Sequence, residues 1–192
     1  MVEVVFLTTV DSDGRVNVMT VNPLNYLAQD PYLVGVTLRP SRHSHGCVQG
    51  TGQFVLSVPS SRFAKHLNYC GIVSGRDRDK IEDLQLPTIP ADEVLVPRIA
   101  DCIAYFECEV DEIKRYGSHD LFVGKRVCFH EPAWVRGADG DRLVRNDTVP
   151  VASYTGYDFW CLGAKLWEYT RDPSQLLNLI CEERSAQEMD AQ

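Results

Sequence analysis

Short apolar runs separated by turn residues dominate the first third of the chain, a pattern typical of antiparallel β-structure. Residues 2–9 and 15–22 are rich in β-branched side chains and flank the sequence DSDG. That arrangement predicts a hairpin closed at residues 11–14. We interpret residues 23–31 as a loop. Further strands are predicted at residues 33–38 and 53–58.

A second pair of strands is predicted after a long polar stretch. Residues 71–97 contain several prolines and glycines, which predicts a long loop with room for one helical turn. Beyond it, residues 101–113 and 121–130 alternate and predict a long hairpin. One face of the first strand carries Cys102, Ala104, Phe106, Cys108 and Val110, and the other carries Tyr105, Glu107 and Glu109.

Three helices are predicted between and after these strands. Ser41 has the short polar side chain that suits an N-cap, and a short helix is predicted from it to about Gly50. Ser60 or Ser61 is predicted to begin a second helix. A C-terminal helix is predicted from Pro173, because several apolar side chains follow it within two turns.

These elements predict the fold class and the domain organisation. Six to seven mostly antiparallel strands with short inserted helices and a C-terminal helix indicate a mainly β protein built on a small barrel. Strands and helices do not alternate as they do in a Rossmann sheet. A length of 192 residues suits one well-cored domain, so we expect a single domain over 1–192.

Composition and charge exclude several functional classes. A net charge of −8 and a pI near 5.1 argue against a general nucleic-acid binder. No apolar run approaches the roughly 20 residues of a membrane span, and the opening segment contains Glu3, unlike a signal peptide. The seven cysteines form no CxxC pair, which favours free thiols in a cytoplasmic protein over a metal or redox cluster.

The sequence RPSRHSH at residues 39–45 concentrates positive charge in an acidic chain. A helix start offers free N–H groups to an anion, arginine adds a bidentate donor, and the serines add short-range donors. Solvated arginines around an ordinary helix start are the alternative. Because His43 and His45 are two residues apart on the predicted helix, they point away from each other, and we predict no metal site.

Three weaker patterns are also candidates for chemistry. SGRDRDK at 74–80 joins a Ser-Gly turn to three cations, although a self-neutralised surface turn fits as well. RVNVMTVN at 15–22 has polar positions that suit either a planar ligand or an edge strand. His119 is a candidate hydrogen-bond donor or proton carrier, or simply a turn residue.

Several of these segments, in this order, resemble the flavin reductase-like family, whose members include flavoredoxin and bind FMN in a split β-barrel. The segments are TTVDSDGRVNVMTVN at 8–22, DPYLVGVTLRPSRHSH at 30–45, GTGQFVLSVP at 50–59, SGRDRDK at 74–80, GSHDLFVGKRV at 117–127 and YDFWCLG at 157–163. At the predicted hairpin tip, Ser118 stands where family members usually have an acid.

The resemblance implies a consistent FMN site. The residues that would lie against the isoalloxazine ring are Met19, Thr20, Val21 and Asn22. Those that would hold the 5′-phosphate are Arg39, Ser41, Arg42 and Ser44. The ribityl and phosphate end would be lined by Ser74, Gly75, Arg76 and Lys80. His119 would lie near the ring as the catalytic residue.

The resemblance also implies an activity and an assembly state. It implies an oxidoreductase that passes electrons from NAD(P)H through FMN to a flavin, a ferric complex or a protein acceptor. Two alternatives stay open: a flavoredoxin-type electron carrier supplied by a reduced protein, and a barrel that has lost its flavin. The resemblance further implies a homodimer, since an open strand edge favours a partner subunit.

Overall fold

The computed structural model describes residues 2–22, 24–131, 152–154, 158–161, 164–167 and 172–190. The strands are β1 (Val2–Glu3), β2 (Val5–Val10), β3 (Val16–Val21), β4 (Asn25–Gln29), β5 (Tyr32–Leu38), β6 (Gln53–Val58), β7 (Thr88–Ile89), β8 (Arg98–Ile99), β9 (Ala104–Tyr116), β10 (His119–His130), β11 (Ala152–Tyr154), β12 (Asp158–Cys161) and β13 (Ala164–Trp167). The helices are α1 (His43–Thr51), α2 (Ala64–Ile72), α3 (Lys80–Leu84) and α4 (Pro173–Asp190), with a 3₁₀ turn at Ser61–Phe63.

Seven of these strands form one antiparallel sheet in the order β3-β2-β6-β9-β10-β5-β4. A four-stranded sheet, β1-β11-β12-β13, and the pair β7-β8 accompany it. The mainly β class, the antiparallel sheet and the short helices expected from the sequence are therefore confirmed. Within the described residues, no helix has both the length and the apolar character that a membrane span requires.

The predicted hairpin at the start of the chain is confirmed in detail. β2 pairs with β3 from Val5–Val21 to Val10–Val16. The Asp11 carboxylate accepts the backbone N–H groups of Asp13 and Arg15, at 3.0 and 2.9 Å. Gly14 adopts a positive φ of 79°, which glycine reaches without a steric penalty. The DSDG sequence thus closes the turn as expected.

Strand β2 is buried on both faces except at Val10, which explains why apolar side chains occupy successive positions from Val5 to Leu7. Phe6 packs with Leu67 of α2 and Leu176 of α4 in one core cluster. Its neighbours Val5 and Leu7 point the other way, into a second cluster inside the barrel. Because both faces of the strand are covered, α2 and the strand before α1 hold fixed positions relative to β3. The candidate site forms there.

Two sequence predictions need correction, and one is confirmed. Residues 23–31 were expected to be a loop but contain the strand β4, whose Tyr26 and Leu27 side chains are exposed. The helical turn for which residues 71–97 were predicted to have room is present as α3. Tyr105 and Glu107, placed on the polar face of β9, are both buried, because the 88–99 segment covers that face.

The long β9–β10 hairpin is confirmed and carries a bulge where it crosses the core. The register shifts between Val123 and Gly124. A Cβ atom at Gly124 would lie 2.3 Å from the Phe54 ring, so only glycine fits against this buried side chain. The hairpin brings His119 and Asp120 to the same end of the sheet as α1, since Asp120 pairs with Leu38 of β5.

Candidate functional site

A cavity of about 210 Å³ lies between β3, the start of α1, the end of α2 and residues 73–75. It is lined by Met19, Ser41, Arg42, His43, Ser44, Cys70, Gly71, Val73, Ser74, Gly75 and Lys80. Seven of these residues were predicted from the sequence as cofactor ligands. The structure therefore brings two segments that are thirty residues apart, 41–44 and 74–80, to one place.

The start of α1 opens this cavity without a side-chain cap. The helix begins at His43 with Arg42 as its N-cap, and no side-chain oxygen accepts its first-turn N–H groups. Ser41 was expected to be the N-cap, and that expectation is wrong by one residue. The contrast with α3 is direct, since the Asp79 carboxylate accepts the N–H groups of Ile81 and Glu82. Uncapped N–H groups and the helix dipole favour an anion at α1.

Lys80 places a buried cation in the same cavity. Its side chain is only 3% exposed, and Nζ donates to the Val73 carbonyl at 3.2 Å. No carboxylate among the described residues forms an ion pair with it. Burial lowers the pKa of the Lys80 ammonium, and the nearby Arg42 charge lowers it further. A bound anion would compensate this unpaired charge.

A hydrogen-bonded floor fixes the shape of the cavity. The Asn17 amide donates to Ser44 Oγ at 2.8 Å and to Thr9 Oγ1 at 3.3 Å. Its Oδ1 atom has no hydrogen-bond partner among the described groups and faces Gly75. A Cβ atom at Gly75 would lie 2.1 Å from that oxygen, so the close approach requires glycine.

Arginines at the rim tie the two segments together. Arg76 donates from Nη1 to the Ser41 carbonyl at 2.7 Å, and Arg15 donates to the Gly75 carbonyl at 3.4 Å. Arg76 was predicted to line the site, but in the described structure its side chain bridges the loops outside the cavity lining. Its charge also acts on His43, whose pKa is lowered first by burial and then by Arg76.

The predicted ring-binding strand reaches the cavity at Met19. Thr20 donates its hydroxyl to the Leu67 carbonyl at 2.5 Å, and this bond joins β3 to α2. Val21 is only 5% exposed and packs inside the barrel. Asn22 is exposed at the end of the strand. Of these four residues, only Met19 lines the cavity.

Arg39 and His119 form a separate pair outside the cavity lining. Arg39 Nε donates to His119 Nε2 at 3.3 Å, and the Ser118 hydroxyl lies 2.8 Å from His119 Nδ1. Since Nε2 accepts, Nδ1 carries the proton and donates to Ser118 in this arrangement. Ser118 therefore holds the imidazole although it replaces an acid. The neighbouring Asp120 binds His45 of α1 at 2.8 Å, which links the hairpin tip to the helix.

A larger cavity of about 390 Å³ lies between α2 and α4 and is a weaker candidate. Its cation, Arg78, contacts the Asp83 carboxylate at 2.5 Å and is therefore already neutralised. The same carboxylate accepts the hydroxyl of Tyr69, and burial followed by this bond raises the pKa of that phenol to about 12. The smaller cavity keeps unpaired positive charge, and this one does not.

Four lining residues were not predicted as ligands. They are His43, Cys70, Gly71 and Val73. His43 belongs to a segment that the sequence singled out for its charge, whereas the others sit at the end of α2, where only tertiary contacts bring them near Lys80. Burial raises the pKa of the Cys70 thiol to about 12, so this cysteine is inert in the cavity wall.

Comparison with known proteins agrees with this geometry. Residues 2–144 match the family model described as the flavin reductase like domain. The chain belongs to the flavin reductase-like family. The match includes β3, α1, α2 and the 74–80 segment, and so contains the whole cavity.

Two curated relatives illustrate the range of this family. An uncharacterized protein of Pyrococcus abyssi is 34% identical over 124 residues, which cover 65% of this chain and 71% of the relative. The NADH-dependent flavin reductase StyB of Pseudomonas fluorescens is 28% identical over 126 residues, covering 62% of this chain and 65% of StyB.

Two solved structures share the fold. Flavoredoxin of Desulfovibrio vulgaris (Miyazaki F) has a TM-score of 0.77 at 22% identity and covers 85% of this chain and 87% of its own. An FMN-binding protein from Thermus thermophilus has a TM-score of 0.70 at 24% identity, covering 89% and 88%. These likenesses establish the split-barrel fold predicted from the sequence.

Proposed function

We propose that the protein binds FMN and passes electrons from NAD(P)H through it to a flavin, a ferric complex or a protein acceptor. One observation carries the proposal: the buried, unpaired Lys80 ammonium and the uncapped start of α1 face the same cavity. A phosphate monoester supplies the double negative charge and the acceptor oxygens that these groups lack.

Different residues of the cavity would hold different parts of the cofactor. Lys80 and Arg42 would neutralise the phosphate, and Ser41, Ser44 and Ser74 would donate hydroxyl hydrogen bonds to it or to the ribityl chain. A volume of about 210 Å³ is smaller than the roughly 300–1,000 Å³ of sites that enclose a whole cofactor. The enclosed part therefore suits the phosphate end, and the ring would lie outward along residues 19–22.

The phosphate site favours FMN over FAD. FAD carries a pyrophosphate and an adenosine, which commonly rest on a glycine-rich turn that precedes a helix. The segment before α1 reads RPSR and contains no glycine. When bound, the flavin supplies the hydride and electron chemistry, and the protein contributes binding, orientation and electrostatics. His119, held by Arg39 and Ser118, would present its imidazole near the ring.

The visible spectrum of the purified protein tests the cofactor directly. We expect a yellow protein that releases FMN, identified by chromatography, on denaturation. A colourless protein that micromolar FMN fails to reconstitute would refute the proposal. Release of FAD in place of FMN would refute the assignment of the phosphate end.

An electron carrier without efficient NAD(P)H oxidation is the second candidate. The observation that favours it is the position of His119, whose two ring nitrogens are engaged by Arg39 and Ser118. Anaerobic mixing of the FMN-loaded protein with NADH or NADPH separates the two. Rapid bleaching of the flavin supports the reductase, and a loaded protein that dithionite bleaches but neither nucleotide does supports the carrier.

We also propose that two copies of the chain assemble around the outward part of the flavin. β4 is at an edge of the seven-stranded sheet and exposes Tyr26 and Leu27, which are 56% and 43% accessible. Such an edge favours pairing or burial by a second subunit. Light scattering is expected to give twice the chain mass of 21.6 kDa. A monomer mass at working concentration would refute the dimer.

A further inference from the structure

A second polar cluster lies away from the flavin cavity, beneath the 88–99 segment. Asp92 comes from that segment, Glu107 from β9, and Cys128 and His130 from β10. One ligand atom of each residue lies within 4.8 Å of all the others. None of the four residues lines the candidate flavin cavity. Because the four residues come from three separate segments, no local spacing in the sequence indicates a metal site.

The arrangement centres on one nitrogen atom of His130. Its Nε2 lies 2.9 Å from Glu107 Oε1, 3.2 Å from Cys128 Sγ and 3.3 Å from Asp92 Oδ2. A ring nitrogen either donates one proton or accepts one, so Nε2 cannot satisfy both carboxylates and the thiol at once. A cation placed between the four atoms would satisfy all of them.

The spacing suits a small tetrahedral ion. Zinc binds nitrogen, sulfur and oxygen ligands at about 2.0–2.3 Å, which places tetrahedral ligand atoms about 3.3–3.8 Å from one another. The observed separations of 2.9–3.3 Å from His130 Nε2 are close to that range. The imidazole and the thiolate favour zinc over calcium and magnesium, which prefer oxygen ligands alone, and zinc also accepts carboxylate oxygens.

Glu107 is held in place as a metal ligand would be. Its side chain is fully buried, and its Oε2 atom accepts the backbone N–H groups of Glu93 at 2.8 Å and Asp92 at 3.1 Å. The Asp92 N–H also donates to Oε1 at 3.1 Å, and Oε1 lies 2.9 Å from His130 Nε2. Hydrogen bonds of this kind orient the ligands of known metal sites.

The local charge favours a divalent cation. Two carboxylates are offset by one guanidinium, Arg98, which lies 3.4 Å from Asp92 Oδ1 and 3.8 Å from Glu107 Oε1. A cysteine thiolate adds a further negative charge, and the sum of −2 matches one Zn²⁺. Arg98 is also anchored to the Pro90 carbonyl, so it lies beside the cluster without filling its centre.

We propose that Asp92, Glu107, Cys128 and His130 form a structural zinc site that fastens the 88–99 segment to the β9–β10 hairpin. The inference is independent of the flavin, since no residue is shared between the two sites. A bound ion at this position would hold the 88–99 segment against the face of β9 on which Glu107 is buried. The protein should then resist thermal unfolding better with zinc than without it.

Metal titration of the full-length protein tests the site. Protein stripped with a chelator and reduced is titrated with Zn²⁺ against a chromophoric chelator, and with Co²⁺ for absorption from a thiolate–cobalt bond. We expect one equivalent of zinc, a thiolate–cobalt band and a raised melting temperature. Absence of binding at micromolar zinc, or a stoichiometry that only the flavin-cavity residues affect, would overturn the proposal.

Three site variants and one control identify the ligands. We expect at least a tenfold loss of zinc affinity in each of Cys128→Ser, His130→Gln and Asp92→Asn. Cys128→Ser should also abolish the thiolate–cobalt band. The Asp92 side chain is 57% exposed, so that variant is expected to fold even if the others do not. Cys181→Ser, at an exposed cysteine of α4 outside the cluster, should bind zinc like the wild type. Unchanged affinity in Asp92→Asn and Cys128→Ser would refute the site.

Discussion

Replacement of Lys80 by methionine distinguishes the effect of the buried charge on folding stability from its effect on FMN binding. Methionine keeps the length and most of the apolar stem of lysine but removes the ammonium, which is 3% exposed and has no carboxylate partner within the described residues. The only described hydrogen bond that it loses is the 3.2 Å contact with the Val73 carbonyl. Lys80→Met is therefore expected to affect ligand binding and folding in opposite directions.

The two effects have different magnitudes. A hydrogen bond between a cation and a phosphate contributes about 1.5–3 kcal/mol, so FMN should bind roughly 10- to 150-fold more weakly. Riboflavin has no phosphate, and its affinity should change less than about threefold. The free energy of unfolding without flavin should rise or stay within about 1 kcal/mol, because relief of the buried charge offsets the lost hydrogen bond.

The pH dependence of folding provides an independent check. Burial lowers the pKa of folded Lys80 below the value of 10.5 for an ordinary lysine. Between these two pKa values the unfolded chain binds more protons, so the flavin-free wild type should gain stability as pH rises through that window. The Lys80→Met variant should lack this gain. Bound FMN should remove it from the wild type, since an anion favours the charged ammonium.

Fluorescence titration of both flavins, together with denaturant unfolding at several pH values, measures these quantities. Lys125→Met is the matched control, because Lys125 is exposed on β10 and does not line the cavity. Equal losses for FMN and riboflavin would show that Lys80 acts through the fold. A variant that binds FMN like the wild type would refute the phosphate assignment altogether.

Three further predictions concern other parts of the site. Arg42→Ala should weaken FMN binding by about 1.5–3 kcal/mol. Because the Arg42 side chain is exposed, riboflavin affinity and the free energy of unfolding should stay nearly unchanged. Equal losses in titrations of the two flavins would contradict this. Gly75→Ala places a Cβ 2.1 Å from Asn17 and should lower the affinity for FMN about tenfold in the same titration. The control Gly46→Ala, with no atom within 4 Å of its added Cβ, should leave that affinity unchanged. His119→Asn should slow flavin bleaching by NADH at least about tenfold in anaerobic stopped-flow with less than about threefold change in FMN affinity, and parallel losses would indicate a binding role instead.

The sequence predicted the elements whose signals are local. The DSDG turn, the β9–β10 alternation and the C-terminal helix each depend on residues close together in the chain, and each is present. The two phosphate-type segments were also recognisable, because charge and small polar residues cluster within each of them. Their convergence on one cavity could be expected only from the resemblance to a family.

The misplaced residues are those whose environment depends on distant segments. Glu107 reads as the polar side of an alternating strand, yet the 88–99 segment folds over it and supplies two backbone N–H groups. Arg76 was predicted to line the cofactor site, and its guanidinium also donates to the Ser41 carbonyl, a contact that the sequence does not indicate. Neither partner is visible in the local pattern, since both lie more than ten residues away in the chain.

The small volume of the cavity affects how a protein of this fold can change its electron donors and acceptors. The groups proposed to hold the phosphate are enclosed by α1, α2 and the 73–75 turn, and they are fixed by hydrogen bonds among themselves. The surface beside Asn22 and the hairpin tip is open. Substitutions on that open surface can alter which molecule approaches the ring without loosening the cofactor. One anchoring scaffold can thus serve many electron donors and acceptors.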